Sequence, residues 1–318
     1  MSRTALYIAG RLAGAAATIL VGALLVFVVM KAAPGDPALS VLGENARPEA
    51  VAAFRHKYHL DEPLVGQFLY WLGGLLRGDF GRSLTIAGGI PISELVAARL
   101  PITAFVGLYA IAIAVAVSLT MGTIAALYRG RAADTVATSV AVLGISMPDF
   151  WLSYVLVFAF ALGWRLFPAY GFTSPVDSVS AALYSGFLPA VAIAAPMAAV
   201  FARMLRTSLL EAAAKEYVVV ARSFGFTPRF VFRNYIFRNA LIPYVTVIGL
   251  QVRYLLGGVV VIERIFGIQG LGSLAVDAAF ARDYPTVQAC TVIFLGVVLT
   301  VNVVVDLACA ALDPRRSL

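Results

Sequence analysis

Arg203-Met-Leu-Arg206, then Glu211-Ala-Ala-Ala-Lys215-Glu-Tyr217-Val, then Ala221-Arg222-Ser-Phe-Gly225-Phe-Thr-Pro228, and last Arg238-Asn239-Ala-Leu-Ile-Pro243 form a polar, basic stretch between two long apolar runs. Its reading decides the fold. Glu211, Ala212, Ala213 and Ala214 are good helix formers, and the small side chains at 212–214 leave one face thin enough for a neighbour to approach closely. Gly225 supplies a left-handed residue that ends a helix. Thr227 followed by Pro228 is an N-cap followed by the favoured first helical residue. The pattern predicts a helix, a turn, and a second helix that runs into the next apolar run. The turn carries Phe224 and Phe226 beside Arg222 and Arg229, and exposed aromatics next to arginine are typical interface anchors. A basic loop alone follows from the bias of Lys and Arg toward the inner side of a membrane. That bias does not account for the Glu-Ala-Ala start, the glycine fourteen residues on, or the two phenylalanines. The stretch therefore reads as a docking device for another protein, with Glu211, Ala212, Ala213, Tyr217, Arg222, Phe224, Gly225, Phe226 and Pro228 as its working residues.

Working outward, the remainder is greasy. The 318 residues are 61% hydrophobic and 13% charged, with a mean hydropathy of +0.90, whereas soluble domains are about a quarter charged. Such a chain must sit in lipid, where only helices or a closed barrel satisfy the backbone. Its apolar runs are long, continuous and without a period of two, so they are helices. The net charge of +7 sits beside these runs, where topology accounts for it, and nucleic acid is excluded as a partner.

Six spans are predicted, near 9–30, 101–127, 137–163, 185–205, 241–262 and 285–307, each able to cross ~30 Å of hydrocarbon. The first follows Arg3 and Arg11 and is too long, with Lys31 in the wrong place, for a cleaved signal peptide. With the N-terminus inside, the inner segments hold Arg3 and Arg11, Arg129 and Arg131, seven bases from Arg203 to Arg238, and Arg315 and Arg316; the short outer loops hold Arg165, Arg264 and Arg282. Segment 31–100 has seven bases and seven acids, including Glu44, and is long enough to cross regardless of charge. The expected fold is an all-α integral membrane protein of the cytoplasmic membrane with both termini cytoplasmic. Residues 1–30 hold its first span, residues 31–100 an extracytoplasmic insertion, and residues 101–318 a core of five spans with the docking loop, 203–243, between spans four and five.

Within the insertion, Ala33-Pro-Gly-Asp-Pro37 is a turn cluster, Pro48 to Tyr58 reads as a short helix, and Gln67 to Leu76 is amphipathic and aromatic, suited to headgroup depth. Cys290 and Cys309 share the last span about 28 Å apart, too far for a disulfide. His56 and His59 are three apart, but no further ligands complete a metal site. Asp149 and Arg253 fall inside spans three and five, each about 18 Å above the inner boundary if the helices run straight, and charges in lipid default to functional candidates. Pro148, two residues past Ser146, breaks the helical ladder beside Asp149. Glu263 stands at the outer end of span five, either as a gate, as an anchor for a docking protein, or as a solvated helix end.

Enzyme classes find little support. Gly144-Ile-Ser146-Met-Pro148 is the nearest sequence to an intramembrane serine protease, yet both histidines lie in the outer segment. None of Lys31, Lys57 and Lys215 follows a glycine, so the phosphate-binding loop of an ATPase is missing. A secondary transporter working without ATP would carry more intramembrane acids, often repeated halves, and no docking loop.

Glu211-Ala-Ala, Gly225 and Ile242-Pro243 together resemble the EAA loop of the membrane subunits of bacterial ATP-binding-cassette importers. More narrowly, the chain resembles the first membrane subunit of the dipeptide/oligopeptide/nickel permease family. Ala33-Pro-Gly-Asp-Pro37, Leu60-Asp-Glu-Pro-Leu64, Gly78-Asp-Phe-Gly-Arg-Ser83, Ser146-Met-Pro148, Arg238-Asn-Ala-Leu-Ile-Pro243, Gly257-Gly258, Glu263-Arg-Ile-Phe266, Gly270-Leu-Gly272, Arg282-Asp-Tyr-Pro285 and Asp313-Pro-Arg315 stand in that family's order. Three positions depart from it: Asn234 stands for a frequent histidine, Gln269 for a proline, and His59 for a glycine. The resemblance implies a non-enzymatic permease with four kinds of partner: a second homologous membrane subunit, two cytoplasmic ATPase domains that hold Mg-ATP, an extracytoplasmic binding protein, and a peptide cargo. Nickel chelates and glutathione-like peptides belong to the same broad family. This chain itself would bind no cofactor and no metal. ATP-driven closure would push the loop and rock the spans between inward-open and outward-open states. Ser146, Asp149, Arg253 and Glu263 would then line the path. Arg253 would meet a peptide carboxylate and Asp149 its ammonium, unless the two form a structural ion pair instead.

Overall fold

The computed structural model describes residues 3–32, 36–43 and 45–312. The turn at 33–35, Glu44 and the Asp313-Pro-Arg315 motif lie outside the described residues, as do the side chains of Arg3, Arg11 and Arg253. Fourteen α-helices follow one another among the described residues: α1 Arg3–Ala32, α2 Pro37–Leu42, α3 Pro48–Lys57, α4 Leu64–Leu76, α5 Ile92–Leu127, α6 Ala132–Ser146, α7 Asp149–Leu156, α8 Val179–Ser185, α9 Phe187–Ala213, α10 Glu216–Ser223, α11 Pro228–Val231, α12 Arg238–Phe266, α13 Leu271–Phe280 and α14 Tyr284–Leu312. Two wider, π-helical turns, Val157–Gly163 and Phe232–Phe237, follow α7 and α11. The β-structure among the described residues is one bridge, between Arg82 and Pro91.

Among the described residues, three helices, α5, α9 and α14, are long and apolar enough to cross a membrane unaided. Two bent pairs, 132–146 with 149–163 and 228–252 with 257–266, bring the number to five if each is one span. The third expected span, 137–163, is bent rather than straight. The chain turns by 106° between Ser146 and Asp149, because Pro148 has no amide to donate and pushes Met147 into extended backbone (φ −90°, ψ 125°). A rise of 1.5 Å per residue therefore stops at Ser146, and the equal depths expected for Asp149 and Arg253 do not follow.

The chain divides into two compact units. The first comprises residues 1–103 and 269–299. Its core joins Ile92 and Val96 of α5 to Leu271 and Leu274 of α13 and to Ala289 and Cys290 of α14. The aromatic face expected over Gln67 to Leu76 packs against α1: Phe27 meets Phe68 at 5.4 Å and Trp71 at 6.1 Å between ring centroids. Asp36 caps α2 through the Ala38 amide (2.9 Å) and pairs with Arg55 of α3. His59 has φ +55°, which is the reason a glycine suits that position. Its Nδ1 lies 2.7 Å from Glu62 Oε1. Gln269, the other departure in this unit, accepts a 2.9 Å bond from Arg99 through its side-chain oxygen, a contact that a proline could not make.

The second unit, residues 104–268 and 300–318, is built around α9. Phe201, Leu205 and Leu209 are fully buried or nearly so, and small residues let neighbouring helices come close. A Cβ on Gly122 would stand 2.8 Å from the Ala202 carbonyl, and one on Gly144 would stand 3.2 Å from the Ala199 Cβ. Tyr244 of α12 completes the core, with its ring against Phe201 (6.1 Å) and its hydroxyl 2.7 Å from Ser118 Oγ.

Candidate coupling site

The predicted helix–turn–helix is present with a shifted start. Glu211, Ala212 and Ala213 end the long α9, and Lys215, extended at φ −75° and ψ 146°, separates them from α10. The helix that precedes the Gly225 turn is thus Glu216–Ser223. Of the small residues expected to offer a thin face, Ala212 is 6% exposed and packs within the chain, Ala213 is half-buried, and Ala214 is exposed. Glu211 is exposed.

Helix α10 has two faces. Val218 and Ala221, three apart, are buried, while Tyr217, Val219 and Val220 are exposed. Glu216 in the first turn and Arg222 in the last suit the helix dipole. The helix closes with the Phe224 amide on the Val220 carbonyl (3.1 Å) and the Gly225 amide on the Arg222 carbonyl (3.0 Å). Gly225 has φ +77° with open space where a Cβ would stand, so conformation alone demands glycine there. Pro228 opens α11 as predicted, but the Thr227 hydroxyl makes no capping bond.

The two turn phenylalanines differ. Phe224 is 76% exposed. Phe226 leans on Phe230 (5.0 Å) and Tyr235 (6.5 Å), and Tyr235 also meets Tyr217 (6.5 Å). This aromatic cluster ties α10 to the π-helical turn that leads into α12. Phe230 and Tyr235 escape the sequence reading because the wider turn alters which residues share a face.

The residues expected along a transport path are only partly gathered. Ser146 ends α6 with its hydroxyl on the Val142 carbonyl (2.9 Å). Asp149 opens α7, accepts the Phe150 amide at 2.9 Å, and lays Oδ2 2.7 Å from where a Cβ on Gly258 would stand. The pairing of Asp149 with Arg253 concerns a side chain outside the described residues. Glu263 is fully buried, so it is neither a solvated helix end nor an exposed anchor in this conformation.

Two polar clusters had no place in the sequence reading. Asp134, in the first turn of α6, receives two bonds of 2.7 Å from Arg206 of α9, with Gly130 N (3.0 Å) and Thr138 (3.4 Å) adding to them. Asp283, in the connection before α14, is fully buried. It accepts Ser83 Oγ at 2.5 Å and the amides of Leu84, Thr85 and Ile86 at 3.0, 3.1 and 3.3 Å. Burial pushes the Asp283 carboxyl up, but the bonds from Ser83 and the three amides outweigh it and hold it below the ordinary carboxylate value. Both partners stand in quoted motifs, Gly78-Asp-Phe-Gly-Arg-Ser83 and Arg282-Asp-Tyr-Pro285, although their meeting across 200 residues is invisible in either motif alone.

Comparison with known proteins decides the family. Residues 118–318 match the family described as binding-protein-dependent transport system inner membrane component, and residues 5–104 match the N-terminal part of such membrane components. The chain belongs to this family. It is 42% identical over 308 residues, covering 96% of both chains, to a protein of Brucella abortus (strain 2308) named for a peptide transport system permease. It is 38% identical over 313 residues, covering 98% of both, to the dipeptide transport system permease protein DppB of Bacillus subtilis (strain 168). Among solved structures, a chain of the MetNI methionine ABC transporter superposes with a TM-score of 0.55 at 17% identity, covering 71% of this chain and 99% of that one, a likeness of fold. The chain is thus a multi-pass inner-membrane permease subunit of a transporter that depends on a binding protein, and transport rather than catalysis is its work.

Proposed function

We propose that the chain is the membrane subunit of an ATP-driven importer of dipeptides or oligopeptides, working by alternating access. The observation that carries this reading is α10: a short helix with an apolar outer face, closed by Gly225, displaying Phe224 at 76% exposure beside Arg222. Such a face suits the groove of an ATPase. Relatives named for peptide and dipeptide transport support the cargo class. The full assembly contains a second homologous membrane subunit, two ATPase domains holding Mg-ATP, and an extracytoplasmic binding protein that does most of the selecting. This chain contributes six spans with α1 as the first, both termini in the cytoplasm, the 31–100 segment outside, and the loop 203–243 inside between spans four and five. It binds no cofactor of its own. Ser146, Asp149 and Arg253 line the path, and Arg253 meets the peptide carboxylate.

The test is energetic. Solubilised gently, the chain brings an ATPase with it. Peptide uptake by cells stops when ATP is depleted and persists in a protonophore while ATP is maintained. Uptake that collapses with the protonophore and survives ATP depletion would instead identify a secondary transporter.

A further inference from the structure

Helix α9 is one rod from Phe187 to Ala213, and α10 hangs from its end through Ala214 and Lys215. About 10 Å before that end, Arg206 grips Asp134 of α6 with two parallel bonds of 2.7 Å. Asp134 is 6% exposed, and Gly130 and Thr138 supply its remaining bonds, so the carboxylate is held from three directions. Farther along, α6 meets α9 through thin residues. Ala137 and Ala141 are buried, and Gly144 lies against Ala195 and Ala199. Such a seam brings the two backbones close with few long side chains interlocked across it, so the ion pair is the strongest polar link described between α6 and α9. The far end of α6 is the 106° bend, beyond which Asp149 abuts Gly258 of α12. A cleft of about 600 Å³ is lined by the pair itself together with Thr135, Thr138 and Ser139, so α6 has open space beside the face that carries Asp134.

We propose that the Asp134–Arg206 ion pair is the strap that carries displacement of α10 and α9 into α6 and its bend, making Asp134 and Arg206 positioning residues for transport. The proposal rests on the reading of α10 as the ATPase's point of grip. A bidentate guanidinium–carboxylate pair has the geometric stiffness for this task, and a lone lysine does not.

The experiment uses the complete transporter in lipid nanodiscs, with spin labels at Ser139→Cys on α6 and Ser223→Cys on α10 in a chain whose native cysteines are replaced. In the parent chain the two labels move together, so trapping the nucleotide with vanadate leaves their separation unchanged. In Asp134→Asn the separation changes on trapping, basal ATP hydrolysis persists, and stimulation by the binding protein falls roughly tenfold. The double variant Asp134→Asn/Arg206→Gln does no worse than either single one, and Arg206→Lys lies between. A purely structural role would lower assembly and basal hydrolysis together. If Asp134→Asn does not assemble, Arg206→Lys carries the test. Separations and stimulation in the tested variant that match the parent overturn the proposal. The coupling reading fails separately: if Phe224→Ala leaves the ATPase as tightly bound as before in a chain with the strap intact, α10 is not the grip.

Discussion

Asp283 shows what one residue can hold. Its carboxylate gathers a hydroxyl and three consecutive amides from residues 83–86. Its folded pKa is depressed, so the stabilisation is present above the unfolded value of about 3.9 and is lost as pH falls through the lower folded value. At neutral pH Asp283→Asn costs about 1–3 kcal/mol, because a neutral amide oxygen accepts the bonds now made to Oδ2 more weakly than a carboxylate and the amide nitrogen sets a donor against the Thr286 amide. Hydrogen exchange at the amides of residues 84–86 should accelerate in this variant, and in the parent only under acid below the ordinary carboxylate range. Unchanged protection in Asp283→Asn would show that the clasp is not what orders this segment. Gly225 is the opposite case. Its left-handed backbone, at φ +77°, was legible from the sequence alone, since a run of helix formers followed by Gly-Phe-Thr-Pro leaves few ways to turn. The Asp283 clasp was not legible, because both motifs it joins are local and their meeting is tertiary.

Among the elements, the bend between α6 and α7 and the start of α10 show the limit of periodicity. An apolar run with one proline reads equally as a kinked span or as two helices at 106°, and the arrangement is decided by what packs on each arm. Here Asp149 settles against the bare backbone of Gly258. The contact that cannot give is between α5 and α9, where Gly122→Ala would press on the Ala202 backbone carbonyl at 2.8 Å, with an overpacking cost of about 1–3 kcal/mol, and the thermal unfolding temperature of the purified subunit should fall accordingly. An unshifted unfolding temperature would mean that the two elements do not meet closely. Similarly, Glu211-Ala-Ala has helix propensity throughout, so the sequence placed it in the docking helix. The break falls at Lys215 because Ala212 is already packed in the body of the second unit. Of the three small residues, the chain itself takes Ala212 and leaves Ala214 exposed.

On the scale of the whole molecule, hydropathy gave the membrane class and the approximate positions of up to five of the six expected spans, because lipid leaves the backbone so few choices. The loop 203–243 stood out because its sequence is ordered and polar where the bias of Lys and Arg asks only for positive charge. What composition does not contain is the polar wiring between spans, Asp134 with Arg206 above all. An acid beside Arg129 and Arg131 was the one available signal, and it looked like part of a solvated loop. The account as a whole says that work enters the bundle through α10 and its Gly225 turn. The most direct measurement combines Gly225→Val with Phe224→Ala and Phe226→Ala in the reconstituted transporter and follows nucleotide turnover and solute entry. The account predicts that solute entry and binding-protein-stimulated hydrolysis fall together, while the subunit remains in the membrane at its usual abundance. Turnover and entry both continuing at parent rates would contradict it.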